Sequence, residues 1–173
     1  MQTSILAAIA RAKAENRFVS DRELQAEEER LKQDLARIEA ASLLLNQAQS
    51  LIDAALQALY QKFDREATTS ESQEKFRLGI EHYLHLIQYS LATNSTAAID
   101  EYLSNIKYEI TDGLNLSVDW MVEVLNCIKA DRSLTENAAN AANTYIDYTI
   151  DALLKLKETQ NKEEILTLLS ISA

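Results

Sequence analysis

Proline is absent from this 173-residue chain, and glycine occurs only twice, at Gly79 and Gly113. Because β-sheets need many tight turns, and tight turns draw on these two residues, their scarcity predicts an all-α protein. Two separated glycines also exclude a glycine-rich phosphate-binding loop. The functional surface of the protein must therefore be built from helices.

Cys127 is the only cysteine, which excludes an internal disulfide and a zinc site made of cysteine ligands. Acidic residues outnumber basic ones, 27 to 17, so the formal net charge is −10. Such a surface argues against sequence-independent nucleic-acid binding and against docking on anionic lipid. No apolar run approaches the ~20 residues of a membrane span, and the N-terminus lacks the order of a secretory signal peptide. The sequence predicts a cytoplasmic protein that binds no nucleic acid and does not insert into a membrane.

Apolar residues recur at helical spacing along most of the chain, including the segment from residue 30 to residue 63. Ser20 and Glu23 form a capping-box pattern, which predicts that a second helix begins there after a short first helix. The polar run at 64–74 predicts the longest loop, and a helix reaching to about residue 159 is expected to precede a short amphipathic tail. About eight helices with local contacts favour a globin-type all-α domain over a simple bundle.

No catalytic or metal-binding constellation is evident, so the sequence predicts that the protein is not an enzyme. His82 and His85 have the spacing of metal ligands in helical bundles, but the carboxylates that normally accompany them are missing. We interpret them as surface or partly buried histidines. Cys127 lies where a buried helix face is expected, and a buried thiol is inert because reactivity requires exposure and a lowered pKa.

Six separated stretches, in the right order, resemble the phycobiliprotein family, and the α subunit of phycocyanin most closely. They are NRFVSDRELQ (16–25), SLIDAALQALYQKF (50–63), IEHYLHLIQYSLA (80–92), IDEYLSNIKYEI (99–110), LSVDWMVEVLNCIKA (116–130) and ANTYIDYTIDAL (142–153). The resemblance implies a globin-like core of six helices, preceded by a helical hairpin through which α and β subunits pair. We expect one domain over 1–173, with the hairpin at 1–30, the globin-like core at 31–154 and a C-terminal amphipathic extension at 155–173.

In this family a cysteine within a K-C-x-R-D motif carries a linear tetrapyrrole, a bilin, through a thioether. The aligned residues here are 75–79, and Phe76 stands at the cysteine position. Leu78 and Gly79 stand where the family has the arginine and aspartate that bind the pigment, and neither can make those charge-assisted bonds. Trp120 matches a family tryptophan near the pigment. The resemblance thus predicts a chain without a cofactor, with a non-covalently bound bilin or haem as the weaker alternative.

The hairpin also departs from the family pattern. Lys13 occupies the position of an aspartate that makes a salt bridge to the partner subunit, and acidic residues follow Ala26 where the family presents apolar ones. Burying Glu28 unpaired would cost several kcal/mol, so we expect a changed partner. A contact between Lys13 and Glu28 in a symmetric homodimer would satisfy both charges; the alternative is a solvated hairpin in a monomer. The predicted interface residues are Lys13, Arg17, Phe18, Ala26, Glu27 and Glu28.

The resemblance predicts a bilin-free interaction protein that acts on phycobilisome subunits or rods, in assembly, capping or turnover. Its partner would be a second copy of itself, or phycobiliprotein or linker subunits, at phycobilisomes on the thylakoid surface of a cyanobacterial cell. One alternative is a protein that binds or senses a tetrapyrrole or small ligand non-covalently, with Arg77, His82, His85 and Trp120 as its candidate residues. A second alternative is a regulatory homodimer unrelated to light harvesting.

Overall fold

The computed structural model describes residues 4–62, 70–112, 118–131 and 134–171, and within these ranges every regular element is an α-helix. The prediction of an all-α fold is confirmed. In chain order the helices are α1 (Ser4–Ala14), α2 (Asp21–Asn46), α3 (Ala48–Lys62), α4 (Ser70–Thr93), α5 (Ala97–Asp112), α6 (Val118–Ala130) and α7 (Glu136–Ile171). The described residues form seven helices rather than about eight, because the expected separate tail continues α7 without a break.

Several helix ends of the described residues are formed by side-chain caps and by asparagines. The predicted capping box is confirmed, since Ser20 Oγ accepts from the Glu23 backbone N–H and the Glu23 carboxylate accepts from that of Ser20. Asn16 and Asn94 follow α1 and α4 with φ of 50° and 53°, in the left-handed region that asparagine tolerates. The two asparagines explain how a chain with two glycines can end these helices sharply.

The core is assembled around α4, whose buried residues recur on one helical face at Ile80, Leu84, Ile87 and Leu91. α2 packs against both α4 and α7, and α3 packs against α6. Several of the fully buried residues are alanines, among them Ala40 of α2. A small side chain at such a position lets two helix axes come near each other without leaving a void.

The predicted loop at 64–74 and the predicted C-terminal tail both differ from the structure. The polar run at 64–74 is only partly a loop, because α4 already begins at Ser70; residues 63–69 lie outside the described residues. At the C-terminus, Lys157 donates to both carboxylate oxygens of Asp119 at 2.7 Å, which ties α7 to the start of α6. Among the described residues, no helix combines the length and apolar character that crossing a membrane requires.

Candidate functional site

The α4 face at the predicted pigment position is closed by an aromatic pair. Phe76 is only 8% exposed, and its ring meets that of Trp120 edge-on, with 4.5 Å between centroids and 68° between planes. The cavity beside the pair has a volume of about 20 Å³, roughly the space of one water molecule. The rest of its wall is formed by Leu59, Gly79, Ile80, Tyr83, Met121 and Val124. These side chains make a packed apolar wall between α3, α4 and α6.

Leu78 and Gly79, which follow Phe76 on α4, lie in different surroundings. Leu78 is more than half exposed and takes no part in the wall, whereas Gly79 lines it. The hydroxyl of Tyr83 donates to Met121 Sδ at 3.1 Å, and burial raises the pKa of this phenol far above its ordinary value. Tyr83 is therefore a neutral packing residue rather than a proton donor for chemistry.

The candidate polar residues for ligand binding do not converge on this wall. Arg77 lies 3.6 Å from a carboxylate oxygen of Asp53, and the ring of His82 contacts that of Tyr102 with 4.3 Å between centroids and 41° between planes. His85 is exposed. Across the described ranges, no group of three or more histidine, cysteine or acidic side chains is arranged to hold a metal ion.

The one thiol of the chain, Cys127, lies on α6 and is partly buried. Burial raises the pKa of this thiol, and the nearby Glu123 and Asp131 carboxylates raise it further. A raised pKa keeps the sulfur protonated and slows its reaction as a nucleophile.

The turn between α1 and α2 is held by Arg17. This guanidinium makes a two-pronged contact with the Glu23 carboxylate, at 2.8 and 3.0 Å, and donates to the Phe18 carbonyl oxygen. Its hydrogen bonds hold the pKa of the Glu23 carboxyl well below its ordinary value. The arrangement fixes the backbone of Phe18, whose own side chain is 97% exposed.

Glu27 was predicted to face a partner, but the structure buries it within its own hairpin. Arg30 donates to both of its carboxylate oxygens, at 2.5 and 3.1 Å, and the backbone N–H of Ile5 also donates to it. Hydrogen bonding to Arg30 lowers the pKa of Glu27. Glu27 therefore joins the N-terminal end of α1 to α2, and α1 packs mainly on α2.

The other predicted interface residues are all exposed. Lys13 on α1 and Ala26 on α2 are exposed to solvent. Arg17 and Phe18, in the turn between the two helices, are exposed as well. Glu28 is exposed as well and is paired with Lys32 of its own helix at 2.9 Å. Lys32 is also paired with Glu29 at 3.1 Å, so a partner approaching Glu28 meets two carboxylates that share one ammonium group.

Sequence reasoning missed the main feature of the hairpin, which is a stripe of apolar side chains on the outer side of α2. Leu24, Leu31, Ile38 and Leu45 are seven residues apart, Leu35 lies between them, and all five are about half exposed or more. These five residues are called the outer stripe below. On a helix they lie opposite the buried Ala40 and Leu44 and extend over about 30 Å. The seven-residue spacing was the available signal, but it was interpreted only as helical periodicity.

Further exposed apolar side chains lie on α1 and in the turn that leads to α2. Thirteen large apolar side chains of the described residues are exposed, and nine of them lie between residues 5 and 45. We call these nine the hairpin surface; they are Ile5, Leu6, Ile9, Phe18, Leu24, Leu31, Leu35, Ile38 and Leu45. Single exposed apolar residues are ordinary, but nine of them within one helical hairpin are typical of an interaction surface.

Replacing Glu27 by glutamine is expected to loosen α1 from α2, because a neutral amide oxygen accepts the backbone N–H of Ile5 more weakly than a carboxylate that Arg30 holds in place. In the wild type the lowered pKa means that this contact stabilises the hairpin above pH 4.5, the ordinary value of the carboxyl, and is lost as the pH falls below it. The measurement is the hydrogen-exchange protection of α1 amides between pH 7 and pH 3. Glu28→Gln, the exposed neighbour, is the matched control and should leave α1 protected. Equal loosening by both variants would show that the effect is one of net charge.

The chain matches the family model described as "Phycobilisome protein" over residues 7–153. It is 31% identical over 161 residues to the phycoerythrocyanin alpha chain of Nostoc sp., and 30% identical over 163 residues to the C-phycoerythrin alpha chain of Microchaete diplosiphon. It is 27% identical over 164 residues to the C-phycoerythrin class 2 subunit alpha of a Synechococcus species. Each match covers 88% of this chain and 99% of the relative. The family resemblance is confirmed, and these relatives are alpha chains of phycoerythrocyanin and phycoerythrin.

These comparisons overturn the expectation of a chain without a cofactor. The matched proteins are phycobiliproteins, whose chains bind bilins covalently, so the finding points to a bilin. The side chains at the predicted attachment position do not fit a thioether, since Phe76 has no sulfur and its ring is packed against Trp120. The only sulfur that could form such a bond is that of Cys127, on a different helix.

Proposed function

The chain belongs to the phycobilisome protein family, and from that premise we propose that it is a non-enzymatic interaction protein of the phycobilisome, binding another phycobiliprotein or linker subunit through the hairpin surface. The observation that carries the proposal is the concentration of exposed apolar side chains on α1, the turn and α2. None of these residues lies on the wall around Phe76, so the proposal does not depend on a pigment. One folded domain over the whole chain is part of the proposal.

The size of the hairpin surface supports a stable contact. Its nine side chains expose on the order of 1,000 Å², since a fully exposed large apolar side chain presents roughly 200 Å². A specific interface of standard size buries about 800 Å² on each partner, and the largest patch of an ordinary monomer is smaller, about 300–600 Å². Phe18 has the properties of an anchor residue, because an aromatic side chain that is fully exposed gains the most from entering a pocket.

The charged residues around the hairpin surface leave it compatible with an apolar partner. Arg17 is paired with Glu23, Lys32 with Glu28, and Arg30 with Glu27 and Asp34. Each ion pair can stay in water at the rim while the apolar side chains are buried, so few charges need to be stripped of solvent. The contact would change which subunit binds next in a rod, which is how assembly, capping or turnover would be affected.

A homodimer is the second candidate, and the charge distribution favours it. Between residues 4 and 46 the chain has seven basic and eight acidic side chains, a net charge of −1, although the whole chain carries −10. Two copies that meet through this face keep their most acidic parts apart, so charge repulsion is small. In such a dimer a Lys13–Glu28 contact would occur twice. Lys13→Glu should then weaken dimerisation, and adding Glu28→Lys should restore it.

Affinity purification from a cyanobacterial cell tests the proposed function. The tagged wild type is expected to recover phycobiliprotein or linker subunits, identified by mass spectrometry, and Leu31→Glu should lose them. Leu154→Glu is the matched control, because Leu154 is also exposed but lies on α7 outside the hairpin surface. Recovery of the tagged chain alone would leave the homodimer, and recovery of subunits that Leu31→Glu does not change would refute the role of the hairpin surface.

A further inference from the structure

The exposed face of α2 has nearly the same pattern when it is followed in either chain direction. Leu35 is at the centre of the outer stripe, Leu31 and Ile38 flank it, and Leu24 and Leu45 lie at its ends. The flanking residues are 4 and 3 positions away from Leu35, and the end residues are 11 and 10 positions away. The outer stripe is therefore almost symmetric about Leu35.

Two polar residues complete this face at matching positions. Glu28 and Ser42 are exposed, and they lie seven residues before and seven residues after Leu35. At about 100° per residue, these two residues and the outer stripe fall within an arc of roughly 100° on the helix. We call these seven positions the α2 seam; they are Leu24, Glu28, Leu31, Leu35, Ile38, Ser42 and Leu45. In either direction the α2 seam has an apolar residue, a polar one, three apolar ones, a polar one and an apolar one.

One edge of the α2 seam carries polar side chains with the same symmetry. Gln25, Lys32, Glu39 and Asn46 are seven residues apart, and each follows an apolar seam residue by one position. Reversing the chain direction exchanges Lys32 with Glu39 and Gln25 with Asn46. A base thus occupies the position that mirrors an acid, and an amide occupies the position that mirrors an amide.

This symmetry selects a second copy of α2 as the occupant of the face. Two such faces match apolar to apolar and polar to polar when the helices run antiparallel about a twofold axis at Leu35. Lys32 then faces Glu39 of the second copy, and Glu28 faces the hydroxyl group of Ser42. Parallel helices would instead place Lys32 beside Lys32 and Glu39 beside Glu39, and like charges at the edge of a helix pair repel each other.

The contacts within one chain leave both edge charges available. Lys32 is paired with Glu28 and Glu29 at 2.9 and 3.1 Å, but these ion pairs are exposed to water and contribute little free energy. Glu39 accepts a hydrogen bond from the neutral hydroxyl of Thr135 at 3.1 Å. A carboxylate that lacks a base in its own chain gains from the ammonium group of a second copy.

We propose that two copies of the chain associate by antiparallel pairing of their α2 seams, with the Lys32–Glu39 contact formed twice along one edge. The inference rests on the proposed function, because it uses the hairpin surface, and it names the partner and the direction of pairing. The α2 seam is about 32 Å long. The hairpin surface exposes on the order of 1,000 Å², more than the ~800 Å² that each subunit buries in an interface of standard size.

The antiparallel register differs from a homodimer held by contacts between Lys13 and Glu28. Lys13 lies near the end of α1, just before the turn that leads into α2. Antiparallel pairing brings Glu28 of the second copy to Ser42, which is about 30 Å along the helix from the start of α2. Lys13→Glu should therefore leave the antiparallel dimer unchanged.

Charge reversal tests the proposed pairing. Lys32→Glu and Glu39→Lys each replace two attractive contacts by two repulsive ones, so each should raise the Kd of self-association by about 10-fold or more. The double variant exchanges the two charges, and its Kd should return close to the wild-type value. Sedimentation equilibrium of the full-length protein measures the Kd. Glu101→Lys is the matched control, because it makes the same charge change at an exposed position of α5 and should leave the Kd unchanged.

Crosslinking reports the direction of the two helices. In a Cys127→Ser background, Glu28→Cys and Ser42→Cys each carry one exposed thiol. A short bismaleimide should join the two variants in a 1:1 mixture. It should not join either variant to itself, because in the antiparallel dimer the two copies of position 28 are about 20 Å apart.

Four results would overturn the antiparallel dimer. They are crosslinking of the Glu28→Cys variant with itself, which indicates parallel helices, a double charge variant no tighter than the single ones, loss of the dimer in Lys13→Glu, and a protein that stays monomeric. If the monomer still recovers subunits that Leu31→Glu loses, the proposed function stands without this dimer. If Leu31→Glu changes neither self-association nor the recovery of subunits, both are refuted.

Discussion

Leu35→Glu is expected to weaken association through the hairpin surface by about 100-fold or more. Leu35 is 66% exposed and occupies the middle of the outer stripe, so a partner that covers the stripe buries it. A carboxylate there would have to lose its water without gaining a partner, which costs several kcal/mol, and each ~1.4 kcal/mol is a tenfold change in Kd. Sedimentation velocity measures the association, both for the protein alone and for its mixture with phycobiliprotein subunits.

The expected loss of affinity is the same for either partner, but the complex that is lost differs between a homodimer and a heteromeric contact. In a symmetric homodimer each substitution acts twice, so Leu35→Glu should leave a monomer at every concentration reached. In a heteromeric contact it should abolish only the complex with the added subunit. Leu154→Glu adds the same charge on α7 and should change neither. The fold should survive because Leu35 is exposed in the isolated chain, and unchanged far-ultraviolet circular dichroism checks this. Association that persists in Leu35→Glu would contradict the assignment of the outer stripe as an interface.

Local signals predicted the all-α fold correctly because they act within a few residues of each other. The capping box of Ser20 and Glu23 is complete in the sequence itself, and its geometry in the structure is the one the pattern predicts. The spacing of Phe76, Ile80, Leu84 and Ile87 likewise fixes one face of α4, which is the face the core buries. Both patterns lie within one helix or its cap, so they can be recognised before the packing of the helices is known.

The outer stripe was missed because α2 has two apolar faces. Periodicity identifies a helix with apolar rows but does not tell which row meets the core of its own chain. Ala40 and Leu44 face inward, whereas Leu31, Leu35 and Ile38 face away, and only the positions of α4 and α7 decide between them. The burial of Glu27 was missed for a related reason, since its partners are Arg30 and a backbone N–H of another helix. From sequence alone an acidic residue is expected to be exposed to water, and only the structure shows partners that allow it to be buried.

The family comparison and the residues around Phe76 give different answers to whether a bilin is bound on α4. The family comparison averages over the whole chain, and it points to a bilin. An individual residue tests only whether a bilin can be attached at the position that this residue occupies. At that position the structure has a ring–ring contact between Phe76 and Trp120 and a wall of apolar neighbours. The contribution of this packing to the free energy of unfolding can be measured on the protein without a pigment.

Phe76→Ala is expected to lower the free energy of unfolding by about 3–5 kcal/mol, the usual loss when a buried phenylalanine is truncated. Phe76 is almost completely buried, and its removal enlarges the small cavity beside Trp120 that the surrounding helices would have to close. The measurement is urea denaturation followed by the fluorescence of Trp120, the only tryptophan of the chain. A fall in Tm of roughly 2–4 °C per kcal/mol should accompany it for a chain of this length.

Leu78→Ala is the matched control for this prediction. Leu78 is two residues away on the same helix, but it is more than half exposed, so its truncation should cost no more than about 0.5 kcal/mol. Phe76→Leu should fall between the two, because it keeps apolar volume while losing the edge-on contact with Trp120, which is worth about 0.5–1.5 kcal/mol. That order of stabilities follows from packing alone. If Phe76→Ala instead cost as little as Leu78→Ala, the helices would have collapsed onto the vacated space, and the wall would be a pliable surface rather than part of the core.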